Sequence, residues 1–290
     1  MATKIEWVKW HDKEGVRSMG DQRFNPPQPW GPWTRIMGVV ARCEGNMDTV
    51  VSYDGTGVTW GFMQWTFTSG RLTNLLQYFK SIPAANGQNV FENLFVKDGR
   101  QVFENFGFKI DSGKFKDLTG KVIDPNIPAQ KQLIDDICMG RMQNKVSPKD
   151  HAIALANVFS IAGKNKEAQF SQIEFAKGEL KRSLDVKRSL LGDVGTIANL
   201  LKDSWETWLP GLFFNLWQNS PKGAYTLFMN QYQKGSSVES FKQRVWDRLN
   251  VTKFANWSYA KPENKSPRIR RIAKGIKEFY GEDLPVQTNF

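Results

Sequence analysis

Residues 34–70 read TRIMGVVARCEGNMDTVVSYDGTGVTWGFMQWTFTSG, and two different periodicities meet inside them. From Thr34 the apolar residues Ile36, Met37, Val39, Val40 and Cys43 recur at the spacing of one helical face, and the pattern stops near Gly45. Glu44 therefore falls at the C-terminal end of a helix. From Val50 the composition turns to Val, Thr, aromatics and glycine, with Asp54-Gly55-Thr56-Gly57 as a turn, which predicts a short β-hairpin or twisted loop. A second helix is expected over residues 69–80. A helix-terminal carboxylate is thus set ahead of a glycine-rich hairpin that carries a second one, Asp54.

The rest of the 290-residue chain narrows the chemistry. Its two cysteines, Cys43 and Cys138, are too few for a disulfide framework or a Cys-based zinc site, and whether they pair is open. The two histidines, His11 and His151, stand 140 positions apart, which excludes HExxH and His-rich metal clusters. No metal and no cofactor are expected, and carboxylate chemistry is favoured. Glycosidic bonds are cleaved by a carboxyl pair, one protonated to serve the leaving oxygen and one ionised to activate water or stabilise the oxocarbenium ion. Glu44 suits the acid, because Trp60 and Trp65 would desolvate it if the hairpin folds over it. Asp54, in a polar turn, suits the base. Asp48 is a rival base, Thr59 or Thr66 could position the water, and Trp60 and Trp65 offer either sugar platforms or core.

Hydrophobic residues make up 40% of the chain, far from a disordered composition, and no apolar run approaches the ~20 residues of a membrane-spanning helix. The N-terminal MATKIEWVKWHDKEG carries charges where a signal peptide needs an apolar stretch. The expectation is synthesis in the cytoplasm, so that action in the periplasm or on a cell wall would require delivery by another system. The expected partition is a single catalytic domain, 1–290, with an arm at 1–33 that ends in NPPQPWGPW. An active-site helix with a β-rich lobe covers 34–127, including an Asp98-Gly99 hairpin, and a helical lobe covers 128–290. Helix starts are expected at Ser147-Pro148, at a Ser236-x-x-Glu239 capping box and at Ser266-Pro267; the last helix would turn Ile269, Ile272 and Ile276 inward and Arg268, Arg270, Arg271, Lys274 and Lys277 outward. The Trp205–Trp217 aromatic stretch reads as core. Residues 141–290 hold 24 Lys+Arg against 14 Asp+Glu, so nearly all of the +11 charge is C-terminal. Such a surface attracts polyanions, anionic envelope polymers included; no motif supports nucleic acid as the partner.

The run Asp54-Gly-Thr-Gly-Val-Thr-Trp-Gly-Phe-Met-Gln-Trp65, placed shortly after a helix ending in Glu, resembles the active-site segment of the lysozyme-like superfamily. It is similar to goose-type lysozymes and soluble lytic transglycosylases, and its DGxGxTxG portion is similar to the hairpin of chitosanases. The resemblance covers about 40 residues. It implies a mainly α (α+β), two-lobed helical fold with a small β-hairpin lobe beside the active-site cleft, Glu44 as acid, Asp54 as candidate base and Gln64 as a cleft residue. It also implies peptidoglycan glycan strands as substrate, cut between N-acetylmuramic acid and N-acetylglucosamine. Gly45 stands where transglycosylases usually have Ser after the catalytic Glu, which leaves hydrolysis and transglycosylation both open.

Overall fold

The computed structural model describes residues 4–10, 13–24, 31–142, 146–186, 195–251 and 267–286. In chain order, strands β1 (Glu6–Trp10) and β2 (Lys13–Ser18) precede helix α1 (Pro32–Glu44). Three two-residue strands follow: β3 (Val50–Val51), β4 (Thr59–Trp60) and β5 (Trp65–Thr66). Helices α2 (Arg71–Phe79) and α3 (Val90–Phe95) lead to two hairpins, β6 (Val96–Lys97) with β7 (Arg100–Gln101) and β8 (Phe108–Asp111) with β9 (Lys114–Asp117). Helices then run in series: α4 (Pro128–Cys138), α5 (Pro148–Lys164), α6 (Lys166–Leu184), α7 (Ile197–Leu201), α8 (Leu209–Asn219), α9 (Pro221–Gln231), α10 (Val238–Val251) and α11 (Pro267–Tyr280). The protein is mainly helical with small antiparallel sheets, as the α+β reading expects. No helix among the described residues is long and apolar enough to cross a membrane.

Local chemistry explains most boundaries. Ser147 caps α5 by accepting from the Asp150 amide at 3.1 Å, with Pro148 at the first helical position. The cap of α10 is one residue later than expected: Ser237 accepts from the Ser240 amide at 3.2 Å, while Ser236 takes a bond from Arg244 at 2.8 Å. Residues 90–95, inside the expected β-rich lobe, are helical because Asn89 and Glu92 form a capping box. Residues 6–10 and 13–18, expected within an arm, pair as the antiparallel strands β1 and β2. Residues 25–30 of the Pro/aromatic stretch, His11 and Ser266 lie outside the described residues.

The chain divides into two compact units. The first, Met1–Asn25 and Gly45–Phe175, holds a five-stranded antiparallel sheet in the order β1-β2-β3-β4-β5, helices α2–α5 and the start of α6. Its core is aromatic: Trp60, Phe67, Phe95, Phe103, Phe108 and Phe159 are fully buried and meet ring to ring, with Phe103 stacked on Phe108 at 5.1 Å. The second, Pro26–Glu44 and Ala176–Phe290, packs α1 against α8 and α11. Glycines permit the close crossing of α1 and α11: a Cβ on Gly38 would stand 2.5 Å from the Phe279 ring, and one on Gly275 would stand 3.3 Å from the Val39 backbone. Helices α4 and α5 thus belong with the sheet, and α1 with the C-terminal helices. Cys43 and Cys138 are buried free thiols.

Candidate active site

Glu44 is the last residue of α1, with its side chain 13% exposed. That is a costly place for a carboxylate, since the negative end of the helix dipole lies there. The second unit answers with donors. Asn215 and Asn219, one turn apart on α8 and so on one face, aim their Nδ2 groups at Oε1 from 3.3 and 3.2 Å. Arg268, in the first turn of α11, puts Nη2 on the same oxygen in a close ion pair. Three residues on, Arg271 donates to the Cys43 carbonyl at 3.0 Å and so satisfies a backbone acceptor at the end of α1. Burial, and next the Glu44 charge, push the neighbouring Cys43 thiol up to about 12. Arg268, expected to project outward, is therefore a site residue only 12% exposed.

The other candidates all lie in the first unit. Asp54 is exposed; its Oδ1 accepts the Thr56 amide at 3.3 Å and the Thr56 hydroxyl, forming an Asx turn, and its carbonyl accepts from Lys13 Nζ at 3.2 Å. Thr59 is buried and shares a hydroxyl contact of 2.8 Å with Thr56. Gly57, at φ +75°, donates its N–H to Asp135 at 2.9 Å. Asp48 is fully buried and accepts three bonds from the amides of Asp21 and Gln22, so it holds backbone rather than water. Trp60 packs on Phe79, Phe95 and Phe159, and Trp65 on Phe62 and Phe175; both are 0% exposed and offer no face to a sugar. Gln64 sits at φ +52° in the β4–β5 turn, donating to the Gly61 carbonyl at 3.0 Å. Thr66 caps the 3-10 turn Phe67–Ser69.

The structure thus brings to Glu44 three residues that sequence reasoning missed, Asn215, Asn219 and Arg268, and it makes Asp48, Trp60 and Trp65 structural. No protein-family model, curated protein or solved structure matches this chain.

Proposed function

We propose that this protein is a peptidoglycan-cleaving glycosidase of the lysozyme type, with Glu44 as the general acid. One observation carries the reading: a largely buried carboxylate ends the helix immediately ahead of a three-stranded antiparallel meander, and two amides and a guanidinium converge on it. A carboxylate held at the negative end of a helix and met by convergent polar groups is a functional-site candidate, and the hairpin pattern that follows Glu44 in the sequence favours that use over a purely structural ion pair. In this proposal Asn215, Asn219 and Arg268 fix Glu44 through Oε1 and leave Oε2 to serve the glycosidic oxygen. Asp54 takes the second role by the sequence pattern, as its exposed carboxylate; hydrolysis with inversion follows if it activates water. The second unit carries 21 Lys+Arg against 12 Asp+Glu, which favours retention on anionic envelope polymers at the wall or in the periplasm.

The test is Glu44→Gln, which keeps an oxygen for the three donors. Clearing of purified walls should fall by about 10²–10⁴-fold while the variant unfolds as a cooperative protein, and undiminished clearing removes the assignment. Mass spectra of the released muropeptides distinguish hydrolysis, which leaves reducing ends, from transglycosylation, which leaves anhydro ends.

A further inference from the structure

A cavity of about 480 Å³ opens in the first unit between the β1–β2 hairpin, the 52–55 turn and the C-terminal end of α4. Small-molecule sites fall in the range of about 300–1,000 Å³. Two half-buried aromatics, Trp7 and Tyr53, line it together with Lys13, Glu14, Gln132 and Arg141.

The walls are fixed to one another. Asp135, 4% exposed, accepts the Gly57 amide at 2.9 Å and pairs with Arg141 Nη1 at 2.8 Å, and Asp136 takes the same nitrogen at 2.8 Å. Arg141 is therefore oriented before any ligand arrives. Lys13 Nζ is tied to the Asp54 carbonyl. Gly15 lets β2 lie against Tyr53, since a Cβ there would stand 2.7 Å from the Tyr53 backbone.

The lining balances two cations, Lys13 and Arg141, against two carboxylates, Glu14 and Asp135. That is a poor receptor for a polyanion and a good one for a neutral ligand rich in hydroxyl and amide groups. Flat aromatic faces beside mixed donors and acceptors suit a pyranose ring, whose C–H face is apolar and whose rim hydrogen-bonds. We infer that this cavity is a saccharide subsite that holds a neutral N-acetylhexosamine unit against Trp7 and Tyr53. The choice of sugar rests on the glycan-cleaving reading above; the site itself does not use Glu44.

The test uses the full chain carrying Glu44→Gln, so that ligand is not consumed, with N-acetylchitotetraose as the probe in calorimetry and tryptophan fluorescence. Trp7→Ala and Tyr53→Ala should each weaken binding by about tenfold, and Glu14→Ala, on an exposed strand position, by a smaller factor with unchanged unfolding. Equal binding by all four proteins, or no binding by the parent while the wild type clears walls, overturns the inference and leaves the proposed function standing. Binding that Trp7→Ala abolishes, in a wild type that cuts no glycan, sustains the inference and removes the proposed function.

Discussion

Asp48→Ala separates a carboxylate that holds the fold from one that does chemistry. Oδ1 of Asp48 accepts the amides of Asp21 at 3.0 Å and Gln22 at 2.9 Å, and Oδ2 accepts Asp21 at 3.1 Å. These bonds fasten the segment after β2 to the loop that follows α1. Alanine deletes the acceptor and leaves two backbone donors beside an apolar methyl. Hydrogen bonds to a charged group contribute about 1.5–3 kcal/mol each, and an orphaned donor costs about 1–3 kcal/mol. Relief from burying the charge offsets part of this, and both donors are only partly buried, so the net loss is about 2–4 kcal/mol. At about 2–4 °C per kcal/mol, the first unit should melt roughly 5–15 °C lower. Tryptophan fluorescence reports that transition, because Trp60 and Trp65 are buried in the same unit. Wall clearing per folded molecule, measured below both transitions, should be preserved. An unchanged transition would refute the hydrogen-bond argument. An unchanged transition with clearing lost would make Asp48 the second carboxylate in place of Asp54.

Gly163→Ala tests whether packing overrides propensity. Alanine is the better helix former by about 1 kcal/mol, but a Cβ at Gly163 would stand 2.5 Å from Asp48 Cα and 2.8 Å from the Met47 carbonyl oxygen. Backbone cannot yield as a side-chain tip does, so a net loss of about 1–3 kcal/mol is expected in urea unfolding; Gly178→Ala, whose nearest neighbour is an arginine tip at 3.5 Å, should instead be neutral or stabilising. His151 sets an acid limit. Burial lowers its imidazole from the ordinary 6.5, against a bond to the Ile137 carbonyl at 3.0 Å, so the unfolded chain takes the proton first. Stability is intact above the unfolded value of about 6.5 and falls as pH drops toward the folded one. His151→Gln should flatten that slope below about pH 6.5, and an identical slope would clear His151 of the effect.

The elements around Glu44 were legible because their signals are local. The stripe Ile36, Met37, Val39, Val40 and Cys43 defines α1, and Asp54-Gly55-Thr56-Gly57 defines the turn between β3 and β4, with Gly55 and Gly57 both at positive φ. Composition hides what competes with it. Residues 90–95 look extended by their Val and Phe content, yet the Asn89–Glu92 capping box starts a helix there. Trp60 and Trp65 have the chemistry of sugar platforms, and in a chain with 20 Phe they are used as core instead. Residue type alone cannot separate those uses, because aromatic area is equally valuable in either place.

The partners of Glu44 were hidden by distance along the chain, since Asn215, Asn219 and Arg268 lie 171, 175 and 224 residues away. One signal for Arg268 was nonetheless present. Residues 268, 272, 275 and 279 share one flank of α11, and Ile272 and Gly275 are buried while Phe279 lies against Gly38. An arginine on a flank that otherwise packs must place its charge where water is scarce, and such a charge requires a carboxylate. Glu44 is the complementary misfit, a carboxylate at the negative end of an apolar helix. Each residue is anomalous alone and accounted for by the other. Removing the Glu44 charge would take an ion-pair partner from Arg268, a loss of about 3–5 kcal/mol for a fully buried pair and less at 12% exposure. A loss of clearing in Glu44→Gln therefore counts as chemistry only when unfolding shows that the second unit survives the change.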